Sequence, residues 1–304
     1  MDKIWDCVIV GGGAAGLSAA LVLGRARRAT LVVDAGTQSN LAAHGIGGLL
    51  GFDGAPPARL YAKGRAELSA YPDVEVRQGE VVAAEVSEEG FAVELADGGV
   101  VWTRRVLLAM GMRYESPDVS GLPELWGRSV FHCPFCHGWE VRDKPLAVLA
   151  DGDRAVHMAT LLRGWSDDVV LLTGGPAELT DAHRARLSEA GVVVDERVVA
   201  GLRSAEGELD AVVFADGTAM ARGGLLIATT LHQRSALAAK LGVDFAAASP
   251  VSAEAIEIDA MYRTSVPGVF AAGDVSAQMP QVAAAIAAGS AAAASIVASF
   301  MEER

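Results

Sequence analysis

The chain contains one folding unit twice. Residues 7–36 read CVIVGGGAAGLSAALVLGRARRATLVVDAG, and residues 146–175 read LAVLADGDRAVHMATLLRGWSDDVVLLTGG; they align without a gap. Each is an apolar strand, a turn of small residues, an amphipathic helix and a second apolar strand. That is a βαβ unit, and strands alternating with helices build a largely parallel sheet. Two such units in 304 residues predict an α/β chain with two nucleotide-type domains of related shape.

The first copy carries dinucleotide-binding chemistry. Gly11, Gly13 and Gly16 form G-x-G-x-x-G between strand and helix, with Ala14 and Ala15 inside the motif. The first glycine permits the tight turn, the second lets backbone approach a pyrophosphate, and the third lets helix and strand pack closely. The phosphates then meet free N–H groups at a helix start. Asp34 ends the second strand, where a carboxylate can accept from a ribose hydroxyl; Ala35 and Asn40 follow it.

Near the other end stands TSVPGVFAAGDV, residues 264–275, ahead of a long alanine-rich helix. This resembles the second FAD signature of flavoproteins with two dinucleotide domains. The resemblance implies that Asp274 contacts the ribityl chain and that Gln281, opening the helix, contacts the flavin, with Gly273 and Val282 beside them in the cofactor site. The FAD domain is then split, residues 1–113 and 232–304, as a three-layer ββα Rossmann-like fold. Residues 114–231 are a smaller inserted NAD(P)-type domain, with hinges in AMGMRYESPDV and IATTLHQRS.

The inserted domain begins with FHCPFCHGWE, residues 131–140. Of three cysteines, Cys7 lies in the apolar run CVIV and reads as a buried small residue. Cys133 and Cys136 remain as a lone C-x-x-C, which reads as redox or metal. Zinc would want two more ligands at matching spacing, and the other histidines are scattered; no metal is expected. A structural disulfide does not suit a cytoplasmic chain.

This order of elements resembles the low-molecular-weight thioredoxin reductases, over nearly the whole chain. The resemblance implies FAD, a homodimer, Cys136 beside the flavin and Cys133 as the exchange cysteine. Those reductases have an aspartate after the second cysteine, whereas this chain has His137. CPFCHGWE, and the loop HGIGGLLGFDG with His44 and Asp53-Gly54, are similar to thioredoxin-reductase-like dithiol oxidases of the gliotoxin and holomycin type. His137 titrates near neutrality and is the candidate base, with His132 a weaker one.

The second copy of the repeat has lost its chemistry. Gly11-Gly12-Gly13 corresponds to Ala150-Asp151-Gly152, and Asp34 to Thr173. Two unit charges about 4 Å apart repel by roughly 4 kcal/mol at an effective dielectric of 20, so Asp151 opposes a pyrophosphate. A lost charge-assisted hydrogen bond costs about 1.5–3 kcal/mol. Together these predict coenzyme binding weakened on the order of a hundred- to ten-thousand-fold. Arg184 or Arg186 of HRAR is the one compensating candidate. With no entry for NAD(P)H, electrons enter from a small-molecule dithiol through the cysteines and FAD and leave on O2 as H2O2. The alternatives are an NADPH-dependent disulfide reductase and a flavin sensor that no longer turns over.

The net charge of −13 argues against nucleic acid and anionic membrane as partners. Val282–Phe300 carries no charge and is long enough to span a bilayer, but its alanine content predicts a helix packed in a domain. With no secretory signal evident, the expected location is the cytoplasm.

Overall fold

The structure, a computed structural model, describes residues 3–276 and 280–302. The chain forms two compact units: Met1–Leu41 with Pro56–Tyr114 and Leu231–Arg304, and Ala42–Ala55 with Glu115–Thr230. Chain order places Ala42–Ala55 in the first unit, but its contacts are with the second. The strands where the chain passes between units, Met112–Glu115 and Thr230–Gln233, pair with each other.

The first unit is built on a seven-stranded sheet. Strand Ile4–Val10 lies between Thr30–Asp34 and Val100–Leu108, parallel to both. Val74–Gln78 and Val269–Ala271 extend the parallel part, and Gly90–Leu95 and Val81–Ser87 form an antiparallel arm. Side chains alternate between faces with the two-residue period of a strand. Cys7, Ile9, Val32 and Leu107 pack beneath helices Ala14–Arg25, Pro57–Leu68 and Val282–Glu302. Val8, Val10, Leu31, Val33, Val106 and Leu108 pack on the other face against Val81, Phe91, Val93 and Leu95 of the arm. This is the expected ββα layering. Cys7 is fully buried, and burial drives its thiol pKa far up, so it is inert.

The helix Val282–Glu302 is long and apolar enough to cross a membrane. Here it lies along Ala14–Arg25. Ser18 Oγ donates to the Ile286 carbonyl at 2.7 Å, and a Cβ on Gly289 would collide with the Ala15 carbonyl. Small residues let these helices touch backbone to backbone, which holds the glycine motif beside the C-terminal segment.

The second unit repeats the plan around a five-stranded parallel sheet. Strand Leu146–Leu149 lies between Val169–Leu172 and Gly224–Ile227. Helix Gly152–Leu162 covers one face through Ala155, Val156, Ala159 and Leu162. A three-stranded antiparallel sheet covers the other through Leu209, Val212 and Phe214. The order strand, helix, strand matches the first unit element for element, as the duplication predicts.

Candidate functional site

The glycine motif forms the expected turn. Gly11 has φ +106°, and a Cβ there would stand 2.5 Å from the Ala109 carbonyl oxygen. Gly16 has no room for one against the Gly11 carbonyl. Gly13 begins helix Ala14–Arg25 in an extended conformation, with no capping side chain and no acid in the first turn. The helix start, with Ala14 and Ala15, is therefore an uncapped set of amides suited to an anion. Asp34 is held in place: Oδ1 accepts from the Gly12 and Gly36 amides, each at 3.1 Å, and Gln38 Nε2 donates to it at 2.9 Å. Ala35 follows it on the surface, and Asn40 Oδ1 accepts from Tyr61 Oη at 2.7 Å. Burial pushes the Tyr61 hydroxyl up to about 12.

The second signature meets the same helix. Gly273 has φ +83°, and its Cβ would lie 2.9 Å from that of Ala15. Asp274 follows, with Tyr114 Oη 3.4 Å from Oδ2. Burial raises the Asp274 pKa to about 6, against the pull of Tyr114 and Arg234. Arg234 is fixed by donating to Thr37 and Ser39 hydroxyls at 3.2 and 2.7 Å. Gln281 precedes helix Val282–Glu302 and accepts the Ala285 amide at 2.9 Å; Val282 is the first helical residue. A cradle that any Cβ would fill, an uncapped helix start and two acids converge in the first unit. These residues fit a flavin dinucleotide.

The cysteine pair lies in the second unit. Strand Val130–Phe131 leads to Cys133, which opens the single-turn helix Pro134–His137 with proline at its first position. The turn returns Cys136 to Cys133, their Cα atoms 5.3 Å apart, and the two form a disulfide. His137 stacks on Phe131 at 5.8 Å between centroids, and His132 on Trp126 at 5.6 Å. Burial pushes His137 below its ordinary value, against the nearby Glu140 carboxylate. Burial first, then repulsion from a protonated His137 and the Arg154 charge, takes His132 down to about 4. Both imidazoles are neutral at physiological pH and able to accept protons. The backbone of Gly127 and of Cys133 also favours the protonated ring of His137, but burial outweighs both.

Sequence reading missed how the loop Ala42–Ala55 is used. Gly54 N donates to Ile46 O at 2.8 Å, and Asp53 Oδ1 accepts from Gly48 N at 2.9 Å. The loop so closed runs against the cysteine turn, and a Cβ on Gly47 would collide with the Cys136 carbonyl oxygen. His44 is exposed. The density of glycine in HGIGGLLGFDG was the available signal, since close backbone approach needs it.

The repeated helix start carries a cap. Asp151 caps helix Gly152–Leu162, its Oδ1 accepting the Gly152 amide at 2.7 Å. Asp153, in the first turn, pairs with His183 at 3.0 Å. Thr173 donates its hydroxyl to the Gly175 carbonyl, and Arg184 is paired with Glu196 at 2.8 Å. Arg186 is exposed on the next helix. Among the described residues, no group of three or more His, Cys, Asp or Glu is placed to hold a metal.

The family model for pyridine nucleotide-disulphide oxidoreductases matches residues 5–289. The chain belongs to this family. Thioredoxin reductase tcpT of Claviceps purpurea is 31% identical over 95% of this chain and 92% of its own length. Among solved structures, HlmI is 39% identical with a TM-score of 0.92, covering 100% of this chain and 95% of that one. The oxidoreductase from Agrobacterium tumefaciens is 35% identical with a TM-score of 0.93, covering 99% and 100%. This pyridine nucleotide-disulphide oxidoreductase is thus a thioredoxin-reductase-like flavoprotein acting on sulfur groups.

Proposed function

We propose that the chain is an FAD-dependent dithiol oxidase that closes an intramolecular disulfide in a small natural-product dithiol, gliotoxin- or holomycin-like, with O2 as acceptor. The observation that carries this is Asp151, whose carboxylate caps the helix start that corresponds, in the repeat, to the glycine motif of the first unit. The likeness to HlmI supports it. Reducing power then enters from sulfur.

His137, neutral and next to the cysteine pair in sequence, takes the proton of the first substrate thiol. The thiolate attacks Cys133 Sγ, the Cys133–Cys136 bond breaks, and Cys136 leaves as thiolate. The second substrate thiol loses its proton to solvent, displaces Cys133 and closes the substrate disulfide. The substrate has lost two electrons and two protons, and the cysteine pair has gained the electrons. Bound FAD would supply the two-electron carrier between the cysteines and O2, which with two protons would become H2O2. Cytoplasmic location suits a disulfide that exchanges rather than one that braces.

A second reading, an NADPH-dependent thioredoxin reductase, is favoured by the name of the Claviceps purpurea relative. The test is oxygen consumption by flavin-loaded protein given a small dithiol without NADPH. The oxidase reading expects one H2O2 per disulfide formed, abolished by Cys136→Ser. Oxygen uptake or dithiol turnover only when NADPH is present would reject it.

A further inference from the structure

Trp139 lies one turn beyond Cys136 and is 67% exposed, which is costly for the largest apolar side chain. It is nevertheless held. Arg142 places its guanidinium 3.8 Å from the indole centroid and donates from Nη1 to the Trp139 carbonyl at 2.6 Å. One face of the ring is thereby occupied and its orientation set from two points. The turn itself is seated tightly: a Cβ on Gly138 would stand 2.7 Å from the Trp165 ring. Phe135, between the cysteines, is 61% exposed and meets Trp165 edge-on at 5.4 Å. Exposed aromatic surface thus flanks Cys136 on both sides in sequence.

We propose that Trp139, braced by Arg142, is a stacking platform that selects dithiols whose thiols are carried on a flat unsaturated ring. The inference rests on the dithiol-oxidase reading. A cation on one face draws the indole's electron density toward it, so the open face suits a neutral or electron-rich ring and disfavours a cationic one. A ring pre-positioned on an indole loses little rotamer entropy on binding, and stacking adds to simple area burial. Arg142 acts through Trp139 and is a positioning residue.

The test compares ortho-bis(mercaptomethyl)benzene with dithiothreitol, since both close six-membered disulfide rings and differ in the arene. Steady-state KM and kcat are measured for flavin-loaded wild type, Trp139→Ala, Trp139→Phe and Arg142→Ala. Trp139→Ala should raise KM for the arene dithiol about tenfold, with kcat and both dithiothreitol constants within about twofold. Trp139→Phe should recover most of the loss, and Arg142→Ala should show a smaller rise in the same KM. A Trp139→Ala effect equal for both dithiols, or absent for both, overturns the platform while the oxidase reading stands. A wild type that oxidises neither dithiol overturns the oxidase reading and the platform with it.

Discussion

Asp151 Oδ1 accepts the amide of Gly152 at 2.7 Å, so the second unit caps with its own carboxylate the helix start that the first unit leaves open. The same fold element is an uncapped helix start in one copy and a capped one in the other. Replacing Asp151 by alanine removes the cap and should cost about 1 kcal/mol in urea unfolding. Glycine, a tolerated cap residue, should cost only a few tenths. Asp151→Gly should also tighten NADPH about tenfold by isothermal titration, without reaching the affinity of a true reductase, because Thr173 still offers no carboxylate. Unchanged NADPH affinity would show that Asp151 is not the barrier.

The duplication, the glycine motif and the cysteine pair were legible because each is local: a period, a turn or a spacing. The ββα layering followed from strands whose alternate residues, such as Val8 and Ile9, face different layers. The brace of Arg234 on Thr37 and Ser39 was not legible, because nearly two hundred intervening residues carry no trace of it. Nor was the placement of Ala42–Ala55 in the second unit, since loop contacts leave no periodic pattern. The stacking of His132 on Trp126 and His137 on Phe131 also escaped, although all four residues lie within a dozen positions. Sequence separation does not report ring orientation.

His137 should act as base in its neutral form. Its pKa lies below the ordinary histidine value, so kcat/KM for a dithiol should hold through neutrality and fall only in acid. His137→Gln should lower kcat/KM about a hundredfold and remove that acid limb, read by stopped-flow bleaching of the flavin across pH. A variant that keeps the wild-type profile would assign the base elsewhere.

His132 makes a stability prediction. Its folded pKa is about 4, below the unfolded value of about 6.5. Between these values the unfolded chain binds the proton and the folded one does not, so stability rises with pH through that window. His132→Phe should flatten the rise, with wild type losing up to about 3 kcal/mol relative to the variant on acidification. Parallel curves of unfolding free energy against pH would contradict the assignment.

Asp274 has the opposite sign. Its folded pKa of about 6 exceeds that of an unfolded aspartate, so its carboxylate destabilises the flavin-free protein above that value. Asp274→Asn should stabilise the flavin-free protein at neutral pH by about 1–2 kcal/mol and weaken FAD binding at least tenfold. Calorimetry of the flavin-free variant and FAD titration read the two effects separately. Loss of stability in the flavin-free variant would mean that the carboxylate is compensated.

On the dithiol-oxidase reading, reducing power reaches this protein from sulfur and not from a nicotinamide. The most direct measurement of this is flavin absorbance after anaerobic mixing of the loaded protein with NADPH, and separately with a small dithiol. The expected spectrum is unchanged by NADPH and bleached by the dithiol. Rapid bleaching by NADPH at micromolar concentration would contradict it.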